Sequence, residues 1–392
     1  MDRSNDLLIP GGTPWLTDPN ARRVWETLRA GGHYVYFVGG CVRNALLGME
    51  PGDVDLCTDA LPERVMELGT AAGLKALPTG IDHGTVTLVV DGTAFEVTTL
   101  RKDVETDGRR AVVAFTKDIT EDAVRRDFTM NALYATPEGF VVDPLNGIDD
   151  LRARRVRFIQ DPVARIQEDY LRVLRFFRFS AWYANPEDGF DAEALAAISD
   201  NIKGLKKLSA ERVGQEMRKL LSAPDPAPAI ATMRQIGALH AILPGTDDRW
   251  LGMVIHHEAV LGFEPSWIMR LAILGGDHTA ALLRLSRAEA NELHLLRNAS
   301  PSATSIATLA YRHNAAIAQR VLVLRAAMSE QPVQPGILDV IEIASQAIFP
   351  IKAQDLMPRY ERAALGRRLG ELEDAWIASD FTLSRDDLLK LR

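Results

Sequence analysis

A chain of 392 residues, 47% apolar and 25% charged, has the composition of a folded protein too long for a single core. Its net charge of −8 excludes a protein that coats nucleic acid indiscriminately. Two cysteines, Cys41 and Cys57, are too few for a disulfide framework and lack zinc-finger spacing, which reads as a reducing, cytoplasmic setting. The first thirty residues carry no signal-peptide pattern, and no apolar run is long enough to cross a bilayer, so no membrane partner is expected.

In chain order, residues 20–31 form an amphipathic helix ending at Gly31-Gly32. Tyr34–Val38 is an aromatic and β-branched run, hence a strand, and it stops at Gly39-Gly40. Val42–Leu47 makes a short helix that runs to Gly48, and Val54–Cys57 is a second strand. A helix follows over 61–73, with Pro62 near its start. Thr85–Val90 and Ala94–Leu100 flank Asp91-Gly92, the signature of a tight hairpin. From Asp161 onward helical periodicity dominates and no strand recurs. The proline-rich stretch SAPDPAPA (222–229) breaks the helices there. The fold class is therefore a small α/β domain ending near residue 150, followed by an extended all-α region.

Residues i and i+2 of a strand project from one face, so Asp53 and Asp55 present paired carboxylates with Val54 turned to the core. Two such charges call for a cation. Mg2+ suits them, because it takes carboxylate oxygens and keeps its remaining positions for water and phosphate. Gly39-Gly40 lets backbone N–H groups approach a phosphate chain, and Arg43, one turn into the next helix, reaches the same place. Glu96, after the hairpin, either adds a third carboxylate or faces water. Between Leu151 and Arg178 stand eight arginines (152, 154, 155, 157, 165, 172, 175, 178) and three acids. Interleaved with Phe176, Phe177 and Phe179, this stripe reads as phosphate and base contact.

Five motifs then occur in order: GGCVRNALLG running on to the DVD of Asp53–Asp55, RRDFTMNAL (125–133), DPLNGIDDL (143–151), EDYLRVLRFFR (168–178) and ERVGQEMRKLL (211–221). Over roughly residues 30–225 the chain resembles the class II bacterial tRNA nucleotidyltransferases, that is, the CCA-adding enzymes and the bacterial poly(A) polymerases. The resemblance implies a polymerase-β-like catalytic head (1–150), a helical neck that reads the base (151–225), and a helical body and tail for RNA (226–392). It puts the triphosphate against Gly39, Gly40 and Arg43, the metal on Asp53 and Asp55, Arg126 on the nucleotide and Asn131 at the ribose. CTP, ATP and a tRNA 3′ end are the implied partners.

Asp169, Arg172, Arg175 and Arg178 recur every third residue, which on one helix makes neighbours touch and lets Asp169 orient Arg172. Adenine and cytosine each offer an amino donor beside a ring-nitrogen acceptor, so one carboxylate and one guanidinium satisfy both. Uracil and guanine present a carbonyl to the carboxylate and are rejected. Arg175 and Arg178 are read as further base or phosphate contacts. Two features depart from the family: Asn44 stands where it carries Asp, and 101–115, read as its mobile loop, lacks the expected aromatic residue and proline. His256-His257-Glu258 is read as structural. Poly(A) synthesis and an inactive RNA- or nucleotide-binding scaffold are the rival readings; the balanced charge of residues 351–392 favours CCA addition over the former.

Overall fold

The computed structural model describes residues 7–107 and 110–391. Nine strands are described: β1 (Val35–Val38), β2 (Asp55–Thr58), β3 (Lys75–Gly80), β4 (Thr85–Val90), β5 (Thr93–Thr99), β6 (Arg101–Asp107), β7 (Arg110–Phe115), β8 (Tyr134–Ala135) and β9 (Val141–Val142). Seven of them make one mixed sheet in the order β3-β4-β5-β2-β1-β8-β9, with β2 and β5 parallel and the other neighbours antiparallel. The β4–β5 turn holds Asp91 at φ 48° and Gly92 at φ 84°, the left-handed pair that a two-residue hairpin requires. Along β5 the side chains alternate, Phe95 and Val97 buried and Glu96 exposed.

Helices α1 (Pro14–Thr17), α2 (Pro19–Ala30), α3 (Gly40–Leu47) and α4 (Pro62–Ala71) accompany the sheet. Asp18 caps α2 by accepting from the Asn20 amide, with Pro19 in the first turn. After α5 (Ile119–Val124) and α6 (Gly147–Arg152) come α7 (Pro162–Glu168), α8 (Leu171–Tyr183), α9 (Ala192–Asn201), α10 (Ala210–Leu221), α11 (Ala227–Gln235) and α12 (Ala238–Ile242). The gap between α10 and α11 is the proline-rich break read from the sequence.

Three local readings are corrected. The second strand begins at Asp55, leaving Asp53 in the bend before it and Val54 only half-buried. On the β1 side the reason is its partner: β1 ends at Val38, where Gly39 turns the chain away, so residues 53 and 54 have no neighbour on that edge. Residues 101–115, read as a loop, form the β6–β7 hairpin with Arg101 opposite Phe115; the loop tip, 108–109, lies outside the described residues. Asp107-Gly108 was the overlooked hairpin signal. Finally, Phe176, Phe177 and Phe179 are at most 2% exposed and are core, not base platforms. Phe128, Phe158, Phe176 and Phe179 interlock at ring separations of 4.9–6.3 Å, joining α8 to the 125–131 segment.

The chain divides into two compact units. One runs to Leu220 and includes Pro228–Ile242; the other comprises Leu221–Ala227 and everything from Leu243. The second is helical among its described residues: α13 (Leu251–Leu261), α14 (Trp267–Leu274), α15 (Thr279–Leu282), α16 (Arg287–Ala299), α17 (Ile306–Arg312), α18 (Ala315–Ser329), α19 (Ile337–Gln346), α20 (Ala353–Leu356), α21 (Arg362–Ala378) and α22 (Arg385–Lys390). Inside it, Arg270 is 1% exposed. Its Nε donates to Glu258 Oε2 at 2.8 Å, while its Nη atoms reach the carbonyls of Leu221, Ala223 and Pro224. Glu258 also accepts from the Ser266 amide, so the acid of the His256-His257-Glu258 run is spent on structure. Both cysteines are buried and free.

Candidate active site

The head places three carboxylates together. Asp55 opens β2 and is the register partner of Glu96 on the parallel strand β5, with Asp53 two residues upstream. The Asp55 carboxyl is pushed above its ordinary value, first by burial and then by the charges of Glu96 and Asp53, against a smaller opposing pull from Arg126. No ion pair or side-chain hydrogen bond among the described residues engages any of the three. Nor does any group of three acid, histidine or cysteine side chains among those residues stand ready to enclose an ion. The donor set fits a hard divalent ion held by two carboxylates that completes its shell with water and ligand oxygens.

Next to this cluster Gly39 takes φ 72° and ψ −116°, a conformation closed to residues with a side chain, and so turns β1 into α3. A methyl group there would meet Arg126 Nη1 at 3.6 Å and Asn131 Oδ1 at 3.7 Å. Gly40 starts α3, whose first-turn amides are free of intrahelical partners and suit an anion.

Arg43 goes inward instead. It is 5% exposed, with its guanidinium 4.0 Å from the Tyr183 ring centroid and bonded to the Tyr183 hydroxyl at 2.7 Å. Nε and Nη2 both donate to Asn44 Oδ1, at 3.1 and 2.9 Å, and Nη1 donates to Asn131 Oδ1 at 2.8 Å. No carboxylate stands among these partners. Burial lowers the basicity of Arg43, and the site carries a cation whose charge no described residue in direct contact cancels. Asn44 accepts both of its Arg43 bonds on a single carbonyl oxygen, where an aspartate would offer two oxygens and a charge.

The 125–131 segment lines the opposite wall. Arg126 binds Asp122 Oδ2 through Nε (3.2 Å) and Nη2 (3.0 Å), and Arg125 binds Asp122 Oδ1 at 2.7 Å. Burial alone would raise the Asp122 carboxyl; the two guanidinia and the Tyr134 hydroxyl hold it well below the usual range. Asp127 follows the same logic. Burial opposes its charge, yet Arg175 and the Asn131 amide bring it down to about 2.

The third wall is helical, and here the sequence geometry needs revision. Asp169 is not on the helix of Arg172, Arg175 and Arg178. It is the extended residue (φ −153°, ψ 105°) between α7 and α8. Its Oδ1 accepts from the Leu171 amide at 3.1 Å, and its Oδ2 from Arg212 of α10 at 2.6 Å. Arg172 is held by Glu168 and by the carbonyls of Arg165 (2.8 Å) and Arg125 (3.2 Å). Asp169 and Arg172 thus share a wall without pairing, each fixed by a different neighbour. Arg175 binds Asp127 Oδ2 at 2.6 Å, and Arg178 binds Glu216 at 2.6 Å. Asp169, Arg172 and Arg175 face Arg125, Arg126, Asp127 and Asn131 across a cavity of about 230 Å3. Sequence reasoning passed over Glu168, Arg212 and Glu216. The signal was present, since Arg212 and Glu216 lie one helical turn apart in the 211–221 motif.

A strand-end carboxylate cluster, a glycine-turned helix start and a guanidinium-lined pocket, sharing one segment, define a nucleotidyltransferase. Comparison with known proteins narrows this. Residues 35–157 match the poly A polymerase head domain family, and 189–249 match the probable RNA and SrmB-binding site of polymerase A. The mouse protein named CCA tRNA nucleotidyltransferase 1, mitochondrial, is 34% identical over 375 residues, covering 91% of this chain and 86% of that protein. A CCA-adding enzyme of Geobacillus thermodenitrificans is 36% identical over 261 residues, 64% of this chain and 62% of its own. The crystal structure of the Bacillus stearothermophilus CCA-adding enzyme in complex with CTP superposes with a TM-score of 0.71 at 27% identity, covering 92% of this chain and 93% of that one. The chain belongs to the CCA tRNA nucleotidyltransferase family, whose chemistry depends on a divalent metal.

Proposed function

We propose that this chain adds CMP and AMP to the 3′ end of tRNA without a template strand. The tRNA 3′-oxygen forms a bond to the α-phosphorus of CTP or ATP, the bond to pyrophosphate breaks, and the hydroxyl proton passes to solvent. The observation that carries this reading is that one segment, Arg126–Asn131, borders both the Asp53–Asp55–Glu96 cluster and the pocket holding Asp169 and Arg172. Mg2+ held by Asp53 and Asp55 would lower the proton affinity of the attacking hydroxyl and offset charge on the departing phosphates. Glu96 shapes that cluster's field. The first turn of α3 at Gly39 and Gly40 receives phosphate oxygens, with Arg43, which has no carboxylate partner, and the Asp122-paired Arg126 behind it. Asp169 accepts from the base amino group and Arg172 donates to the ring nitrogen, while Arg212 and Glu168 hold them in place. Arg175 lines the same pocket, and Arg178, held by Glu216, stiffens the wall behind. Residues 1–150 serve as head, 151–225 as neck and 226–392 as the RNA-holding body and tail. Two buried free thiols suit a reducing compartment, and we assign the cytoplasm.

The test uses tRNA lacking its 3′ end, Mg2+ and each nucleotide alone and together. Two C and one A, then arrest, is the expected product; long A tracts without C would make the protein a poly(A) polymerase. In Asp169→Ala, discrimination of CTP over UTP is expected to fall by about a hundredfold or turnover of both CTP and ATP to collapse. A nucleotide profile identical to that of the parent would remove Asp169 from base selection.

A further inference from the structure

Arg43 of α3 bonds directly to Tyr183 at the far end of α8, and one amide carries a second link from Arg43 to the base pocket itself. Asn131 Oδ1 accepts from Arg43 Nη1 at 2.8 Å, and Asn131 Nδ2 donates to Asp127 Oδ1 at 3.1 Å. Asp127 Oδ2 in turn accepts from Arg175 Nε at 2.6 Å. The chain of contacts therefore runs from α3, through the 125–131 segment, to α8. Arg43 and Asp127 are 5% and 6% exposed, so water does little to loosen it.

The chemistry at position 131 is demanding. One end must accept from a cation and the other must donate to an anion, within the span of one side chain. A carboxamide does both without charge. Turned over, its NH2 would face a guanidinium and its oxygen a carboxylate, so only one orientation is stable. Aspartate would set a second negative charge against Asp127, and an aliphatic residue would strand both Arg43 and Asp127. Each end already holds a protein partner, Arg43 on the oxygen and Asp127 on the nitrogen, and these two bonds set the orientation of the amide.

We propose that Asn131 is a positioning residue for base selection: its amide fixes the base-reading helix α8 against the phosphate-binding helix α3. Selection by mispairing works only if the walls cannot move to relieve the mispair. A nucleotide is anchored by its phosphates at one end and inspected at the other. The distance between these two points sets which base edge meets Asp169 and Arg172. This inference rests on the nucleotidyl-transfer reading above and names a determinant of its specificity.

The experiment measures kcat/KM of the full chain for CTP, UTP and dCTP on tRNA lacking its 3′ end. In Asn131→Ala the CTP-over-UTP ratio is expected to fall about tenfold or more. The CTP-over-dCTP ratio should stay within about twofold, because no sugar contact is lost. Arg175→Lys, which trades the planar guanidinium on Asp127 for a flexible point donor and so loosens the same chain at its far end, should give the same pattern, and the double variant should lose little more than either single one. A fall in CTP over dCTP with CTP over UTP intact would make Asn131 a ribose contact and overturn the proposal. A uniform drop in kcat with both ratios unchanged would reduce it to a packing role. Should Asn131→Ala not fold, Arg175→Lys decides alone by the same two ratios. A parent chain that incorporates neither C nor A would instead defeat the functional reading, and the proposal with it.

Discussion

Asp55→Asn abolishes nucleotide addition while the protein melts at a higher temperature than the parent chain in metal-free buffer. Both halves follow from one feature. Asp55 is partly buried beside Glu96 and Asp53, and its carboxyl is raised by burial first and by those two charges second. A carboxyl whose folded value lies above its unfolded one binds protons more tightly in the native state. Its ionisation therefore costs stability at every pH above the folded value, and the cost disappears as pH falls below the unfolded value. Asparagine removes the charge and the cost together, so Tm rises by a few degrees at neutral pH and the gain shrinks on acidification. Activity moves the other way: on the proposed role of Asp55 in holding the metal, its loss lowers kcat/KM by about a thousandfold or more. Calorimetry with and without Mg2+, together with single-turnover CMP incorporation, checks both. A variant that is active, or one destabilised in metal-free buffer, would mean that Asp55 is an ordinary structural acid.

The second large effect lies in the helical unit. Arg270→Met is expected to destabilise it by about 3–5 kcal/mol, the usual result of leaving one partner of a buried ion pair alone. Glu258 is 2% exposed and would retain only the Ser266 amide. The carbonyls of Leu221, Ala223 and Pro224 would lose their donor at the same time. Adding Glu258→Leu to Arg270→Met should recover part of the loss, because an apolar pair replaces a charged one at little net cost. Thermal scans of parent, single and double variants read this directly. A single variant that loses less than about 1 kcal/mol, or a double that is worse than the single, would show that water reaches Glu258.

Much of this was legible in the residues. The β4–β5 hairpin followed from Asp91-Gly92, and the helical break from the prolines of 222–229, because both are decided by local backbone sterics. Asp53 and Asp55 were legible as neighbours, while Glu96 stayed open between site and solvent; it is the parallel pairing of β2 with β5 that brings residues 55 and 96 into register. What failed to show was partner choice. Nothing in the spacing of 169, 172, 175 and 178 says that the helix breaks at Asp169, or that Arg212, from a motif more than thirty residues further on, takes its carboxylate. Likewise the position of Arg43 after the glycines suggested phosphate, but nothing in the sequence set it against Tyr183, whose ring arrives from a separate helix. The phenylalanines misled for a related reason: alternating Arg and Phe looks the same whether the rings stack on bases or seal a core. Only tertiary packing separates the two.

The path of the chain through its two units has an evolutionary consequence. It leaves the first unit after Leu220, returns at Pro228 and departs again after Ile242. The returning piece carries Ile230, Met233, Leu239 and Ile242, all buried. A recombination event at any one of these crossings would therefore hand on an incomplete half, with apolar side chains stripped of their cover. Exchanging one unit at a single crossing thus costs the packing of at least one of the two.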